Sequence, residues 1–158
     1  MSYLTQKTLK NPISFEGIGL HTGLNVSVCI KPAGPDIGIV FKRVDLKTNN
    51  LVYPNFMNVS NTSLNTTIAN EFGVKISTIE HLMGALFGLG IDNAIIELNN
   101  EEVPILDGSA KEFIEKIIPG GFEVTEAPIK IIKINKKVEF KDDERIISIQ
   151  PSTLSLDI

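Results

Sequence analysis

The sequence predicts an α+β fold, a two-layer sandwich of a mostly antiparallel sheet with two helices on one face. Short alternating apolar runs such as Val26 to Ile30 and Ala94 to Leu98 are set off by glycine- or proline-marked turns, as strands are. Two stretches carry a 3.6-residue apolar period, about Thr78 to Leu89 and about Ser109 to Ile118. Strands come first and helices then alternate with strands, which argues for helices gathered on one side of a sheet.

In chain order, residues 8–16 read as a strand. Gly17-Ile18-Gly19-Leu20-His21-Thr22-Gly23 follows as a glycine-punctuated turn. Asn25 to Lys31 is the next strand, broken by Pro32-Ala33-Gly34-Pro35-Asp36, and Gly38 to Arg43 is another. Residues 44–63 have no steady period and are expected to be irregular, with room for a small hairpin. Thr66 to Ala69 is a strand, and the first helix follows, closed by Gly90 as a C-cap. Ala94 to Leu98 is a strand, Val103-Pro104-Ile105 is extended, and Pro119-Gly120-Gly121 stops the second helix.

Composition shifts near Glu126-Ala127-Pro128. Beyond it Ile129 to Ile134, Lys137 to Phe140, Arg145 to Gln150 and Leu154 to Ile158 read as a new run of strands. The stretch Ile146 to Ser152 faintly echoes Val26 to Ala33, as a duplicated domain would. The expected division is a domain over residues 1–125 and the start of a second, similar one over 126–158. Leu154, Leu156 and Ile158 alternate up to the last residue, which suggests that the parent protein continues past Ile158.

The chain has 158 residues, 42% hydrophobic and 22% charged, enough for one domain with its own core. A formal net charge of −4, with no basic run longer than a pair, argues against a nucleic acid partner. No apolar run approaches the ~20 residues of a transmembrane segment, and Met1 to Lys10 lacks the apolar centre of a signal peptide. The single cysteine, Cys29, allows no intrachain disulfide, and a reducing cytoplasmic setting is expected. Cys29 itself is expected to be a small buried hydrophobe.

The chemistry concentrates at Ser77-Thr78-Ile79-Glu80-His81-Leu82. Ile79, Leu82, Met83, Leu86 and Phe87 recur at helical spacing and are the expected buried stripe. The opposite face then carries Glu80, His81, Gly84, Ala85 and Gly88, small residues around one acid–imidazole pair. Glycine in a helix interior costs ~1 kcal/mol relative to alanine, so two on one face suggest close packing by another domain or a ligand. Glu80 has two readings: a capping-box acid with Ser77 as N-cap, or a general base acting on a metal-bound water. His81 is either a hydrogen-bonded core histidine or a metal ligand. Catalytic zinc takes three protein ligands plus water, and His21 is the only other histidine. The glycine-rich turn at 17–23 lacks the Lys-Ser/Thr of a P-loop. Ser109 to Glu112 reads as a second capping box, and Asp107 as structural.

Three segments, in this order and spacing, resemble one family, the UDP-3-O-acyl-N-acetylglucosamine deacetylases. They are Gly17 to Gly23, then Ser77 to Leu82 running on to Gly88-Leu89-Gly90-Ile91-Asp92-Asn93, then Glu102-Val103-Pro104-Ile105-Leu106-Asp107-Gly108-Ser109-Ala110. The resemblance covers the chain from about Thr8 onward. It implies two similar domains of the ribosomal S5 domain 2-like type, packed helix layer against helix layer with the active site at their junction. It further implies a zinc-dependent hydrolysis of the N-acetyl group of UDP-3-O-acyl-N-acetylglucosamine, the committed step of lipid A biosynthesis. Glu80 then matches the general base and His81 a Zn2+ ligand. Leu20 and His21 match a pair lining the site, and Leu64 lies in a small insert beside it. Asn65 stands where many relatives have cysteine, so a role resting on that thiol does not carry over.

The family's other zinc ligands belong to its second domain, so these 158 residues alone are expected to be inactive. Two other classes remain open. The chain could be a non-catalytic module that self-associates, or binds a partner, through the Glu80/His81/Gly84/Ala85/Gly88 face. Sugar- and metabolite-kinase folds have similar layers, but they need a phosphate loop opening a helix, which Thr78 to Leu89 does not supply.

Overall fold

A computed structural model describes residues 4–152 of the chain. The strands are β1 (Thr5–Leu9), β2 (Ile13–Ile18), β3 (Asn25–Pro32), β4 (Ile39–Arg43), β5 (Leu51–Val52), β6 (Val59–Asn61), β7 (Thr67–Ala69) and β8 (Lys75–Ile76). Helix α1 (Glu80–Gly88), β9 (Ala94–Leu98), α2 (Ala110–Ile117), β10 (Phe122–Pro128), β11 (Val138–Asp142) and β12 (Arg145–Ile149) complete them.

The main sheet runs β2-β3-β9-β4-β5, antiparallel throughout except for the parallel pair β4–β9. Period-two alternation in β3 turns Val26, Val28 and Ile30 inward, each buried. They meet Phe41, Ile96 and Leu98 from neighbouring strands, Leu82, Ala85 and Leu86 from α1, and Phe113 and Ile117 from α2. Phe15 and Phe113 close one end of this core edge to face, ring centroids 5.8 Å apart. The predicted two-layer α+β sandwich is therefore the observed architecture. Pro32, which cannot donate to a ladder, sits at the last paired position of β3, opposite Ala94.

Several elements differ from expectation. Residues 8–16 are two strands, because Asn11-Pro12 breaks the run and the backbone amides of Lys10 and Asn11 donate to the carbonyls of Gly121 and Gly120. Cys29 is half-buried on the outer sheet face: alternation that buries Val28 and Ile30 must turn it the other way. Within 44–63 lie β5, a short 3-10 turn at Phe56–Asn58, and β6, which joins β7 and β8 in a small separate sheet.

Residues 129–134 form no strand. The preceding segment does instead: β10 pairs antiparallel with β1, Leu9 opposite Phe122 and Thr5 opposite Pro128. Glu126, where composition shifts, therefore lies inside a strand bonded to the start of the chain. β11 and β12 form a hairpin turned at Asp143, φ +51°, with every residue of both strands exposed. The alternating Leu154, Leu156 and Ile158 lie outside the described residues.

Candidate active-site half

Helix α1 has a buried stripe rotated from the expected one. Leu82, Ala85 and Leu86 are buried, Met83 is half-buried, and Phe87 is 88% exposed. Periodicity admits either flank of the Leu82–Leu86 line, and the fold buries the Ala85 side. The five-residue face expected to be open is thus corrected: Ala85 leaves it, and Phe87 joins Glu80, His81, Gly84 and Gly88. A Cβ built at Gly84 or Gly88 would meet nothing within 4 Å, so no described residue covers the face at these two positions.

The capping box at Ser77 does not form. Thr78 has φ +56°, which bends the chain and delays the helix to Glu80, with Ile79 at the cap position and no side-chain cap bond. Ser77 instead joins the segment after β9: its amide and hydroxyl both donate to the carbonyl of Glu101, and its carbonyl accepts from the amide of Val103. A β-branched residue at positive φ is a genuine outlier costing roughly 1–3 kcal/mol. Glu80, no longer at N3, accepts a 3.1 Å bond from the Thr66 amide through Oε2. Ser109 does cap α2 as expected, accepting from the Lys111 amide, while Glu112 pairs with Lys116 at 3.2 Å rather than closing a box.

Thr78 is bonded to Glu102, which heads the third motif of the sequence and was given no role of its own there. Its side chain is fully buried. Oε1 accepts a 2.8 Å bond from the Thr78 hydroxyl and a 3.0 Å bond from the His21 amide. Oε2 accepts a 2.8 Å bond from the Thr22 amide. Burial pushes this carboxyl up, but the bonds from His21, Thr22 and Thr78 outweigh it and hold it below the usual glutamate range. The three motifs of the sequence therefore meet at one carboxylate: the glycine turn, the start of α1 and the Glu102-Val103-Pro104 segment. Gly19 makes room for it, since a Cβ there would lie 2.5 Å from Glu102 Oε2. The signal for Glu102 was an acid at the head of an apolar Val103-Pro104-Ile105 run; next to Glu101, the sequence does not say which acid is buried.

The expected site residues lie on three segments. Leu20 is 58% exposed on the turn that Glu102 grips, and the His21 ring is exposed beside it. His81 is half-buried on the first turn of α1. Leu64, φ +66°, is 89% exposed in the loop between β6 and β7. That loop reaches the site through its next residues: Thr66 bonds Glu80, and the Asn65 amide group lies 3.4 Å from the Thr78 hydroxyl while accepting from the Thr67 hydroxyl at 2.9 Å. The second half of the middle motif is scaffold. Asp92 accepts from the Lys7 amide at 2.7 Å, and buried Asn93 bonds Gln6 and the Gly38 amide, fastening β1 to the main sheet.

Zinc requires four ligands, commonly three from protein. Among the described residues no group of three His, Cys, Asp or Glu side chains converges to hold a metal ion. His81 offers one nitrogen, and the described residues do not make a zinc site by themselves.

Residues 6–158 match the model of the UDP-3-O-acyl N-acetylglycosamine deacetylase family. The chain belongs to this family. Curated relatives carrying the name UDP-3-O-acyl-N-acetylglucosamine deacetylase agree. One from Teredinibacter turnerae is 48% identical over 148 residues, covering 94% of this chain and 48% of the relative. Relatives from Cellvibrio japonicus and Saccharophagus degradans are each 45% identical over the same length, with the same coverage. The chain thus spans about half the length of the curated relatives it matches. In this family member Glu80 and His81 stand at the start of α1, Leu20 and His21 on the turn, and Glu102 bonds that turn and Thr78. No helix among the described residues is long and apolar enough to cross a membrane.

Proposed function

We propose that this chain supplies one half of the active site of a zinc-dependent amidohydrolase, which removes the N-acetyl group of UDP-3-O-acyl-N-acetylglucosamine in the cytoplasm as the committed step of lipid A biosynthesis. The observation that carries this reading is the set of residues gathered at the start of α1. Glu80 is anchored by one oxygen to the Thr66 amide, and its other oxygen has no hydrogen-bond partner among the described residues. It is placed to take a proton from an attacking water. His81, one residue on, contributes a nitrogen donor toward Zn2+, and the remaining ligands come from outside the described residues. Leu20, His21 and Leu64 are exposed around the pair and contact the substrate.

The α1 face of Glu80, His81, Gly84, Phe87 and Gly88 receives the second domain, whose start is assigned within residues 126–158, beyond the end of β10 at Pro128. Family membership and the match to half of each relative support this arrangement. The 158 residues alone supply one zinc ligand and release no acetate.

Acetate release from UDP-3-O-acyl-N-acetylglucosamine tests the reading. It is measured for the chain alone and for the chain joined to the part of the Teredinibacter turnerae relative that it does not cover. Activity only in the joined protein, lost in Glu80→Ala, is the expected result. A well-folded, zinc-loaded joined protein without activity would overturn it, as would robust activity of the chain alone.

A further inference from the structure

We propose that Glu102 is a positioning residue for the candidate site: its buried carboxylate ties the turn bearing Leu20 and His21 to the start of α1 bearing Glu80 and His81, so that the two segments keep one relative placement. This rests on the reading of those four residues as one site.

The first argument is chemical. A charged carboxylate is expensive to bury without partners. Among the described residues Glu102 has no ion-pair partner; the cations engage Glu97, Asp45, Glu115, Glu112, Asp36 and Glu139 instead. Glu102 is held by neutral donors only, two amides and a hydroxyl. An apolar residue would fill a structural position at lower risk, because losing any one donor leaves buried charge underpaired. What the carboxylate offers that an apolar side chain does not is directional bonding to two segments at once.

The second argument is geometric. Oε1 is shared between the turn and the start of the helix, accepting from both the His21 amide and the Thr78 hydroxyl. The backbone repeats the connection: Ser77 and Glu102 form a parallel bridge, and the Ile105 amide bonds the Ile18 carbonyl at 3.0 Å. Each side is adapted to the contact. Gly19 has no side chain where Glu102 enters, and Thr78 accepts a positive φ to present its hydroxyl. Strain of this kind persists only where the surroundings over-determine it.

The experiment reads amide hydrogen exchange and histidine ring signals by NMR on the labelled chain, for wild type, Thr78→Val and Glu102→Gln. Thr78→Val removes one hydroxyl on the helix side and touches nothing in the turn. It is expected to speed exchange at the His21 and Thr22 amides about tenfold, as a local opening made ~1.4 kcal/mol easier would. It should also move the ring signals of both His21 and His81, with β3 and β9 amides unchanged. Glu102→Gln keeps one acceptor oxygen for two segments and should release one of them. If Thr78→Val leaves His21 and Thr22 exchange within about twofold of wild type, or speeds exchange uniformly through the sheet, the tie does not exist. Should Glu102→Gln fail to fold, Thr78→Val alone decides. Coupled exchange without acetate release from the joined wild-type protein would remove the deacetylase reading and leave the tie; acetate release without coupled exchange would do the reverse.

Discussion

The hydroxyl of Thr78 donates a 2.8 Å bond to the carboxylate of Glu102, and that bond holds a β-branched residue at φ +56° just ahead of helix α1. Helix α1 begins two residues later, at Glu80 and His81. Consequences for stability, pH response and activity follow from this arrangement.

Removing the carboxylate should cost much more than an ordinary surface change. Glu102→Ala leaves the His21 amide, the Thr22 amide and the Thr78 hydroxyl without their buried acceptor, and each orphaned donor costs about 1–3 kcal/mol. We expect a loss of at least 2 to 3 kcal/mol on that basis, measured by urea unfolding. Gly19→Ala should lose about 1–3 kcal/mol through overpacking against the same carboxylate. A change within ~0.5 kcal/mol, the range of ordinary surface substitutions, in both variants would contradict the geometry.

Acid should reveal the same group. The folded state holds the Glu102 carboxyl below the usual glutamate range, so the unfolded state binds the proton more readily. Its stabilising contribution is fully present above the unfolded value, about pH 4.3, and is lost as pH falls through the lower folded value. Asp45, held down by the Arg43 guanidinium, and Glu97, held down by Lys31, add to the same slope. Stability of wild type is therefore expected to fall more steeply with acid than that of Glu102→Gln. Parallel unfolding curves for the two between neutral pH and about pH 3 would show that Glu102 does not titrate as described.

Glu80 separates activity from stability. With no capping box to lose, Glu80→Ala forfeits one bond to the Thr66 amide and should change stability by only about 0.5–1.5 kcal/mol. In the joined protein the same change should lower acetate release by roughly 10² to 10⁴, the usual worth of a general base. His81→Ala should weaken zinc retention in a chelator competition while leaving thermal unfolding nearly unchanged. Equal losses of stability and activity in Glu80→Ala would mean that the residue is structural.

Neighbouring apolar residues on α1 should behave oppositely. Leu86 is buried and Phe87 is 88% exposed. Leu86→Ala should cost about 2–5 kcal/mol. Phe87→Ala should stay within ~0.5 kcal/mol in the chain alone, and should weaken docking of the second part when the two are supplied separately. Titration of one part into the other by calorimetry measures this. A large stability loss from Phe87→Ala would restore the stripe first inferred from periodicity.

Much of this protein was legible in its sequence because periodicity is local. Alternation placed β3, β4 and β9 almost to the residue, and the 3.6-residue period located both helices. The motifs singled out Glu80, His81, Leu20 and His21 as candidates, through residue identity and the resemblance they carry. Tertiary structure decided what pattern alone leaves degenerate. Whether Ala85 or Phe87 faces the core depends on how the helix is turned against the rest of the fold, and both choices satisfy the same period. Whether Ser77 caps a helix depends on Thr78, which has a positive φ and donates its hydroxyl to a carboxylate 24 residues away. Glu101 and Glu102 are indistinguishable as letters, and only the fold buries one and exposes the other. The sequence determined which groups are available and on which elements they ride; long-range hydrogen bonding and packing decided how those elements are turned toward one another.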